Sequence, residues 1–285
     1  MNRLIFGCGY LGRRVADIWC GAGDTVHVVT RSQTHGSVFE KAGFFPIVAD
    51  ILRPESLSDL PAVDTVLFAV GYDRTSQASI HQVYVDGLRN VLDVLPDHPF
   101  EILYISSTGV YAEKEGGWVD EDSPTHASRD ATQACLDAER LLQTHPRNFN
   151  FKILRCAGIY GPDRLPRRDA LLAGNAVPLP ASGYLNLIHV DDASQAVNAA
   201  TMRGATGIYS IADGSPTLRT DYLNELARLL NAPPPKFAVA MDNTAGRGAT
   251  SKRVRNDRMR IELGVRLRYP SYREGLAAII KVDSR

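Results

Sequence analysis

Three glycines near the start of the chain have the spacing of a phosphate-binding turn. Gly7, Gly9 and Gly12 form the pattern G-x-G-x-x-G, and Tyr10 and Leu11 lie between the last two. In such a turn, one glycine permits a tight reversal, one lets the backbone approach a pyrophosphate, and one lets a helix pack closely on a strand. A following helix would direct unpaired N–H groups at the phosphates. The spacing predicts dinucleotide binding by these five residues, with a plain glycine-rich turn as the alternative.

The residues around the glycines have the pattern of a strand, a helix and a second strand. Residues 4–6 are a short apolar run of the kind that a buried parallel strand needs. A helical apolar pattern follows, and Gly23 stands where a left-handed helix cap is expected. Residues 25–29 predict the next strand, which completes a βαβ unit of about 30 residues. This context favours dinucleotide binding over a plain turn.

Arg31 bears on which dinucleotide is bound. It lies at the end of the second predicted strand, about twenty residues after the glycine turn, where an Asp or Glu would hydrogen-bond a ribose 2′-OH and favour NAD. A guanidinium instead suits a 2′-phosphate, because it is planar, permanently charged and able to bond in bidentate fashion. We therefore expect NADP as the cofactor, with NAD as the alternative. A solvated surface arginine is the simpler explanation of the same residue.

Asp50 follows a third predicted strand, residues 45–48. At the carboxyl end of a strand, its carboxylate could accept a hydrogen bond from the exocyclic amine of adenine. It could equally cap the short helix that Pro54 opens. Both alternatives stay open on the sequence alone.

The fourth predicted strand begins at residue 65 and ends in Ala69, Val70 and Gly71. Small side chains there would leave room for the cofactor to cross the strand ends, where open α/β sheets bind ligands. The next segment, 76–95, has an apolar stripe at helical spacing, which predicts a helix over that range.

Further motifs along the chain carry a resemblance to a known family. They are G-C-G-Y-L-G at 7–12, V-D-G-L-R-N-V-L at 85–92, S-S-T-G-V-Y at 106–111, G-I-Y-G-P at 158–162 and I-H-V-D-D at 188–192. With these motifs in order, residues 1–215 resemble the extended short-chain dehydrogenase/reductases, the family of nucleotide-sugar epimerases and dehydratases. The tail, 251–276, is similar to an atypical bacterial subgroup of NAD(P)-dependent oxidoreductases.

The resemblance implies an α/β fold with a doubly wound parallel sheet of Rossmann type and about seven strands. Residues 1–162, completed by about 187–213, would form the NAD(P)-binding domain. Residues 163–186 and 214–285 would form a small C-terminal substrate subdomain.

Three candidate site residues with hydroxyl groups follow the fifth predicted strand, 101–105. The resemblance implies that Ser107 hydrogen-bonds the reacting oxygen of the substrate, and that Ser106 borders the cofactor. Tyr111 matches a family tyrosine that is not normally the acid, and it is the second catalytic candidate. The alternative for Ser107 is a hydroxyl that merely ends a strand.

The family's usual proton donor is missing from this chain. That donor is a tyrosine in a Y-x-x-x-K pair, whose lysine shares its helix face and lowers the phenol pKa from about 10 toward the working pH. No lysine here has a tyrosine four residues earlier, and the matching positions hold Ala131 and Cys135. Without a donor, hydride transfer to a ketone leaves an alkoxide with no proton source. The candidates for a replacement are Tyr111, Tyr160 and His126.

The substrate-binding candidates follow the sixth predicted strand, 151–155. The resemblance places the turn at 156–162 beside the nicotinamide end of the cofactor, with Tyr160 and Arg164 near the substrate. Residues 163–186 would pass over the mouth of the active site.

His189 is a third substrate-binding candidate, and its alternative is structural. In that alternative it fixes the start of a helix predicted over 193–202, for which Asp191 or Asp192 would be the N-cap.

The tail is rich in basic residues. They are Lys252, Arg253, Arg255, Arg258, Arg260, Arg266, Arg268 and Arg273. Related enzymes hold nucleotide diphosphates with C-terminal arginines, whereas the simpler alternative is a charged helix face.

The composition limits the classes of partner. The 285 residues include 32 basic and 32 acidic side chains, so the basic excess typical of nucleic-acid or membrane-surface proteins is absent. The four cysteines form no C-x-x-C pair, and no metal site is expected. No leader or membrane-length apolar run is recognised, so we expect a soluble, cytoplasmic protein.

The sequence supports three hypotheses about function. The first is an NADP(H)-binding oxidoreductase that transfers hydride at a carbonyl or alcohol carbon with a non-standard proton donor. The second is a non-catalytic NADP(H) sensor, and the third is an epimerase or dehydratase acting on a nucleotide sugar. The expected partner is a small-molecule substrate, phosphorylated or nucleotide-linked as one alternative, with a homodimer as one alternative for the assembly.

Overall fold

A computed structural model describes residues 1–127, 129–147, 149–177, 180, 182–237 and 251–283. Parts of both predicted C-terminal segments, 163–186 and 214–285, thus lie outside the described residues. Within the described ranges, no helix is both long and apolar enough to cross a membrane.

The strands range from two to seven residues. They are β1 (Asn2–Phe6), β2 (Thr25–Thr30), β3 (Phe45–Val48), β4 (Thr65–Phe68), β5 (Glu101–Ser107), β6 (Glu115–Val119), β7 (Asn150–Cys156), β8 (Gly158–Tyr160), β9 (Ala176–Val177), β10 (Tyr184–Leu185), β11 (Leu187–His189), β12 (Gly207–Ile211), β13 (Thr217–Leu218), β14 (Lys236–Phe237) and β15 (Ser251–Val254).

The helices alternate with the strands over the first half of the chain. They are α1 (Tyr10–Gly21), α2 (Gln33–Lys41), α3 (Gly87–Val94), α4 (Asp130–Thr144), α5 (Arg168–Leu172), α6 (Val190–Ala200), α7 (Arg219–Leu229), α8 (Asp257–Ile261) and α9 (Tyr272–Asp283). Short 3₁₀ turns span Pro54–Leu57 and Thr108–Val110, and a π-helical segment, Gln82–Asp86, leads into α3.

Seven strands form one parallel sheet in the order β12-β7-β5-β4-β1-β2-β3. Ile5 of β1 lies beside Val28 of β2 on one side and Leu67 of β4 on the other. The chain moves outward from β1 through β2 and β3, then crosses back to β4 and continues to β12. Such a reversal opens a crevice at the carboxyl ends of the strands, where open α/β sheets bind ligands. The predicted Rossmann-type α/β sheet is confirmed.

Alternate residues of β1 pack on opposite faces of this sheet. Ile5 belongs to a core that includes Trp19 and is built with α1 and α6. Leu4 and Phe6 belong to a second core that includes Leu88 and is built with α3 and α4. None of these side chains is more than 1% exposed. Because each such burial contributes about 1.5–3 kcal/mol, the strand needs apolar residues on both faces.

A third core lies in the C-terminal part of the chain. It brings together Tyr160 of β8, Leu187 of β11, Leu226 of α7 and Leu276 of α9. Since Tyr160 and Leu187 come from the predicted cofactor domain, the two predicted domains share this core. The boundaries at 162 and 187–213 stay a prediction.

The helix predicted over 76–95 starts later in the structure. Helical backbone begins at Ile80, because Ser79 and Gln82 cap each other. The Ser79 N–H donates to Gln82 Oε1 at 2.8 Å, and the Gln82 N–H donates to Ser79 Oγ at 3.1 Å. This reciprocal pair is a capping box, which fixes a helix start locally.

The start of the tail is a strand, so the alternative of a charged helix face is wrong for residues 251–254. β15 pairs in parallel with β6, with Arg253 beside Trp118 and Val254 beside Val119. Asn186 holds the strand from the other side: its Nδ2 donates to the Lys252 carbonyl at 2.9 Å, and its Oδ1 accepts from the Val254 N–H at 2.8 Å. Lys252 is thereby placed in the interior rather than on a helix surface.

Candidate functional site

The three glycines of the turn have different surroundings. Gly7 has φ +89°, and a Cβ there would overlap the Ala69 carbonyl oxygen. A Cβ on Gly12 would overlap the Gly7 carbonyl oxygen, so helix α1 packs directly on the turn. A Cβ on Gly9 would meet nothing within 4 Å. The first two positions therefore need glycine for packing, and Gly9 leaves open space at the helix N-terminus.

Gly9 is also the N-cap of α1. It provides no side-chain hydrogen bond to the first turn, and that turn contains no acidic residue. The first N–H groups of a helix have no partner within the helix, and the helix dipole places partial positive charge there. The open space beside Gly9 therefore suits the pyrophosphate of a dinucleotide.

A cavity of about 730 Å³ extends from this turn across the ends of β1, β2 and β4. The predicted cofactor residues that line it are Gly7, Gly9, Arg31, Asp50, Val70 and Gly71. Ile51 and Val83 add apolar lining, whereas Ser32, His35 and Asp73 add polar groups. A mostly apolar lining with a few polar groups is typical of small-molecule and cofactor sites, and it suits an adenosine moiety.

Arg31 is exposed at the rim of this cavity. Ser32 follows it and caps α2 by accepting from the His35 N–H at 3.4 Å. Asp73 lies near enough for the Arg31 charge to help lower its pKa, although hydrogen bonds from Thr75 are the larger cause. Arg31 makes no ion pair within 4 Å in the described part of the chain. Its guanidinium is thus available to an anionic ligand group.

Asp50 does not cap the short helix, so that alternative is wrong. The N-cap of the 3₁₀ turn at Pro54–Leu57 is Arg53. Asp50 Oδ1 instead accepts from the Leu52 N–H at 3.0 Å, and its carbonyl accepts from Ser56 Oγ at 3.1 Å. The residue lines the cavity, and its carboxylate keeps the capacity to accept further hydrogen bonds there.

Tyr10 and Leu11 take different places in the first turn of α1. Leu11 is buried in the core beside the sheet, so its side chain does not reach the cavity. The Tyr10 hydroxyl donates to the Pro162 carbonyl at 2.8 Å. The guanidinium of Arg14 lies 4.4 Å from the centre of the Tyr10 ring, and that of Arg164 lies 5.2 Å from it. Arg164 is therefore brought to the edge of the glycine turn.

Ser106 and Tyr111 have buried side chains. Ser106 Oγ donates to Glu139 Oε1 at 2.5 Å, and Glu139 also accepts from Arg155 at 2.7 Å. The Tyr111 hydroxyl shares a 2.6 Å hydrogen bond with Ser210 Oγ, and burial raises the pKa of Tyr111. These contacts give both residues structural roles. We therefore do not retain the Ser106 hydroxyl as a cofactor ligand or Tyr111 as a proton donor.

Ser107 is half-buried and ends β5 at the carboxyl edge of the sheet. Its Oγ accepts from the Gly109 N–H at 3.0 Å. That bond uses a lone pair of the hydroxyl and leaves its hydrogen free to donate. Ser107 therefore keeps the capacity that the resemblance implies, namely donation to a substrate oxygen.

The residues at the positions of the usual acid and lysine cannot replace them. Cys135 is buried in α4, where desolvation and Glu139 raise its pKa to about 12. Ala131 has no polar group. Tyr160 is fully buried, with its pKa raised by burial, and His126 is exposed and hydrogen-bonds Val110 through its backbone. The structure places none of them as a donor beside Ser107.

Tyr160 and His189 also do not reach a cleft as substrate ligands. Their rings are 5.3 Å apart, and the His189 ring packs 4.0 Å from that of Tyr269. His189 is the N-cap of α6, and its Nδ1 accepts from the Asp191 N–H at 3.2 Å. The prediction of Asp191 or Asp192 as N-cap is thus wrong. Asp192 instead accepts from two backbone N–H groups near residue 268, at 2.7 and 2.9 Å.

The comparison with protein families agrees with this arrangement. Residues 4–212 match the NAD dependent epimerase/dehydratase family. The chain belongs to that family. The match covers all seven strands of the main sheet except the start of β1 and includes the glycine turn.

Three similar proteins illustrate the range of this family. Protein YeeZ of Escherichia coli K12 is 29% identical over 274 residues, which cover 93% of this chain and 95% of that protein. The 3-diazoavenalumate denitrifying reductase of a Streptomyces species is 32% identical over 183 residues, covering 55% of this chain and 58% of the reductase. The UDP-glucose 4-epimerase of Thermus thermophilus, solved in complex with NAD, has a TM-score of 0.80 at 17% identity and covers 99% of this chain and 98% of its own. At that identity the epimerase shows the fold alone.

Proposed function

We propose that this protein binds NADP(H) across the carboxyl ends of the strands and transfers hydride to or from a carbonyl or alcohol carbon. The observation that carries the proposal is the continuous cavity from Gly9 to Arg31. It joins a helix N-terminus free of any side-chain cap to a guanidinium with no ion pair among the described residues. The two ends suit a pyrophosphate and a 2′-phosphate, which are the two anionic parts of NADP.

Each residue of the site would have a separate task. The first turn of α1 would hold the pyrophosphate through its N–H groups, and Arg31 would pair with the 2′-phosphate. The bound nicotinamide would supply or accept the hydride. Ser107 would donate a hydrogen bond to the substrate oxygen, where negative charge develops during reduction. The reductase named among the relatives supports a reducing activity.

A non-catalytic NADP(H) sensor is the second candidate. It is favoured by Ala131 and Cys135, which stand on helix α4 at the positions of the family's usual acid and its lysine and cannot perform their chemistry. A sensor would retain the glycine turn and lose only the proton chemistry. The two candidates therefore agree on cofactor binding and differ in turnover.

Cofactor binding is tested by Gly9→Asp, with Gly21→Asp as a matched control. Neither position has an atom within 4 Å of an added Cβ, and both lie at an end of α1. We expect Gly9→Asp to lower NADPH affinity at least about tenfold, because the new carboxylate would fill the open space at the helix N-terminus and repel the pyrophosphate. Gly21→Asp should bind like the wild type. Equal affinity of the two variants, measured by NADPH fluorescence, would exclude the proposed site.

Turnover is tested with Ser107→Ala. The wild type is screened with NADPH against carbonyl compounds, and reduction is followed at the absorbance of reduced nicotinamide. Loss of a hydrogen bond to the developing oxyanion should lower kcat by about 10²–10³ with little change in NADPH affinity. NADPH binding without turnover across the panel would favour the sensor.

A further inference from the structure

Lys252 is a buried cation with no anionic partner among the described residues. It is 5% exposed, and its Nζ donates to the Tyr111 carbonyl at 3.1 Å. An ammonium group has three donor hydrogens, and lysine is rarely buried unless it is paired, because the charge loses its hydration. Burial lowers the pKa of Lys252 to about 8. At neutral pH the side chain therefore keeps its charge without an ion pair within 4 Å among the described residues.

Arg129 is a second cation in the same region. It is half-buried, stands as the N-cap of α4, and makes no ion pair within the ranges described. A Cβ on Gly109 would lie 3.2 Å from Ser107 Oγ and 3.8 Å from Arg129 Nη2, so these two groups border the same small space. The charge of Arg129 also helps to lower the pKa of Lys252. The two cations thus act on one another beside Ser107.

The acidic group that acts on Lys252 is already engaged elsewhere. Glu113 raises the pKa of Lys252, but less than Arg129 and burial lower it. Glu113 Oε1 accepts from the N–H groups of Glu115 and Gly117, at 2.6 and 3.1 Å. These bonds hold the carboxylate in its own turn. Glu113 thus offsets part of the charge without pairing with Lys252, and two cations facing one carboxylate leave the region with a net positive charge.

The backbone around Lys252 is held firmly. β15 pairs with β6 on one side, and the two hydrogen bonds from Asn186 hold the Lys252 carbonyl and the Val254 N–H on the other. The Lys252 side chain is held as well, by its burial and by the hydrogen bond to the Tyr111 carbonyl, so it has little freedom left to lose when a ligand binds. The charge is therefore preorganised, as a binding site requires.

We propose that Lys252 and Arg129 together bind an anionic group of the substrate, a carboxylate or a phosphate, beside the Ser107 hydroxyl. The part played by Ser107 rests on the proposed function above. The anion would balance the net positive charge that Glu113 leaves at the two cations. Because Arg129 borders the space next to Ser107, and Lys252 lies at the Tyr111 carbonyl nearby in the chain, the anionic group of the substrate would lie close to its reacting carbon.

This anion site is separate from the cofactor phosphates. The cavity from the glycine turn to Arg31 is lined by neither Lys252 nor Arg129. A cofactor anion and a substrate anion would thus be bound at two places, and each can be removed by mutation without touching the other.

The test measures stabilisation by simple anions in protein saturated with NADPH, so that the glycine turn is already occupied. Sodium phosphate or sodium acetate is titrated at pH 7, with sodium chloride of equal ionic strength as reference. At ten times the Kd we expect Tm to rise by about 2–4 °C in the wild type. The phosphate and acetate arms identify which anion the site prefers.

Two variants remove the site, and one controls for surface charge. Lys252→Met and Arg129→Gln should each abolish the rise in Tm. Lys114→Met removes an exposed lysine next to Glu113 and should keep the rise. Arg129→Gln decides the matter if Lys252→Met does not fold, because Arg129 is half-exposed. No rise in the wild type, or an undiminished rise in Arg129→Gln, overturns the proposal.

Failure of this proposal and failure of the proposed function give different results. Lys252→Met and Arg129→Gln should keep wild-type NADPH affinity by fluorescence. If NADPH does not bind the wild type, the proposed function fails, and the phosphate titration is then carried out on Gly9→Asp, whose glycine turn no longer accepts phosphate. A rise that persists in Gly9→Asp and disappears on adding Arg129→Gln supports the anion site by itself. A rise unaffected by Arg129→Gln overturns it.

Discussion

Asp213 should make the stability of this protein fall as pH rises. It lies just after β12, where burial, with smaller contributions from the charges of Asp192 and Glu274, raises its pKa to about 8. Oδ1 accepts from the Ser215 N–H at 2.9 Å, but the buried Oδ2 has no hydrogen-bond partner in the described ranges. The folded protein therefore holds this proton more tightly than the unfolded chain, in which the pKa is 3.8.

The sign and size of the effect follow from this difference in proton binding. Below about pH 4 the carboxyl is protonated in both states and has no effect. Between about pH 4 and pH 8 the unfolded state binds fewer protons, so the free energy of unfolding decreases as pH rises. About four pH units at 1.36 kcal/mol each set an upper limit of about 5 kcal/mol. Relaxation and water entry reduce such costs, and we expect about 2–4 kcal/mol between pH 5 and pH 8.

The assay compares wild type with Asp213→Asn in urea at pH 5, 6, 7 and 8, followed by circular dichroism without cofactor. The amide keeps an acceptor for the Ser215 N–H and removes the titration, so the variant should gain on the wild type as pH rises. Asp221→Asn, at an exposed position of α7, should follow the wild type. His189, whose pKa is lowered chiefly by burial, costs stability below about pH 6.5, equally in every variant. Parallel curves for wild type and Asp213→Asn would refute the reasoning.

Three further predictions concern the cofactor site, the buried ion pair and the anion site. Arg31→Asp should shift the ratio of NADPH to NADH affinity about tenfold or more toward NADH, and an unchanged ratio would exclude Arg31 as the 2′-phosphate ligand. Glu139→Gln leaves Arg155 buried without its carboxylate and should lower the free energy of unfolding, measured in urea, by about 3–5 kcal/mol. Glu225→Gln removes the carboxylate of a surface ion pair and should lower it by less than about 1 kcal/mol. A loss of similar size in both would contradict the role of burial. The acetate affinity of the wild type should fall from pH 7 to pH 9 as Lys252 loses its proton, whereas that of Lys252→Arg should stay constant. A wild-type acetate affinity that does not change over this pH range would count against the anion site.

The glycine turn could be predicted because its requirements are local. The left-handed φ of Gly7 and the close approach at Gly12 arise within one strand, one turn and one helix. Spacing along the chain therefore carries the information. The seven-stranded sheet could be predicted for a related reason: each buried parallel strand needs a continuous apolar run, and such runs are visible in the sequence.

The direction of single side chains could not be predicted in the same way. Ser106 and Ser107 are neighbours on β5, so they point to opposite faces of the sheet. The sequence does not say which of them faces the interior. The structure places Ser106 on Glu139 and leaves Ser107 half-exposed at the carboxyl end of β5. The burial of Tyr111 and Tyr160 was missed for the same reason, since a tyrosine suits both a core and a binding site.

The β6–β15 pair was missed because its partners are far apart in sequence. Glu115–Val119 contains two glycines and lacks the alternation of a half-buried strand. Ser251–Val254 consists of a serine, two basic residues and one valine. Neither segment has a strong strand pattern by itself. Their pairing depends on Asn186 and on contacts that form only when the chain has folded. Lys252 was therefore counted with the basic tail, and nothing in the sequence singled out Arg129.

The place of β15 in the chain also sets the order in which the two binding regions can form during synthesis. All seven strands of the main sheet precede residue 212, so the ribosome has synthesised the whole main sheet before it adds Lys252. A nascent chain can thus acquire the glycine turn and the Arg31 cavity early. The positive pair beside Ser107 is complete only when the last strand docks on β6. A chain that ends before residue 251 would lack Lys252 of the proposed anion site, and it would also lack Val254 of the first core and Leu276 of the third.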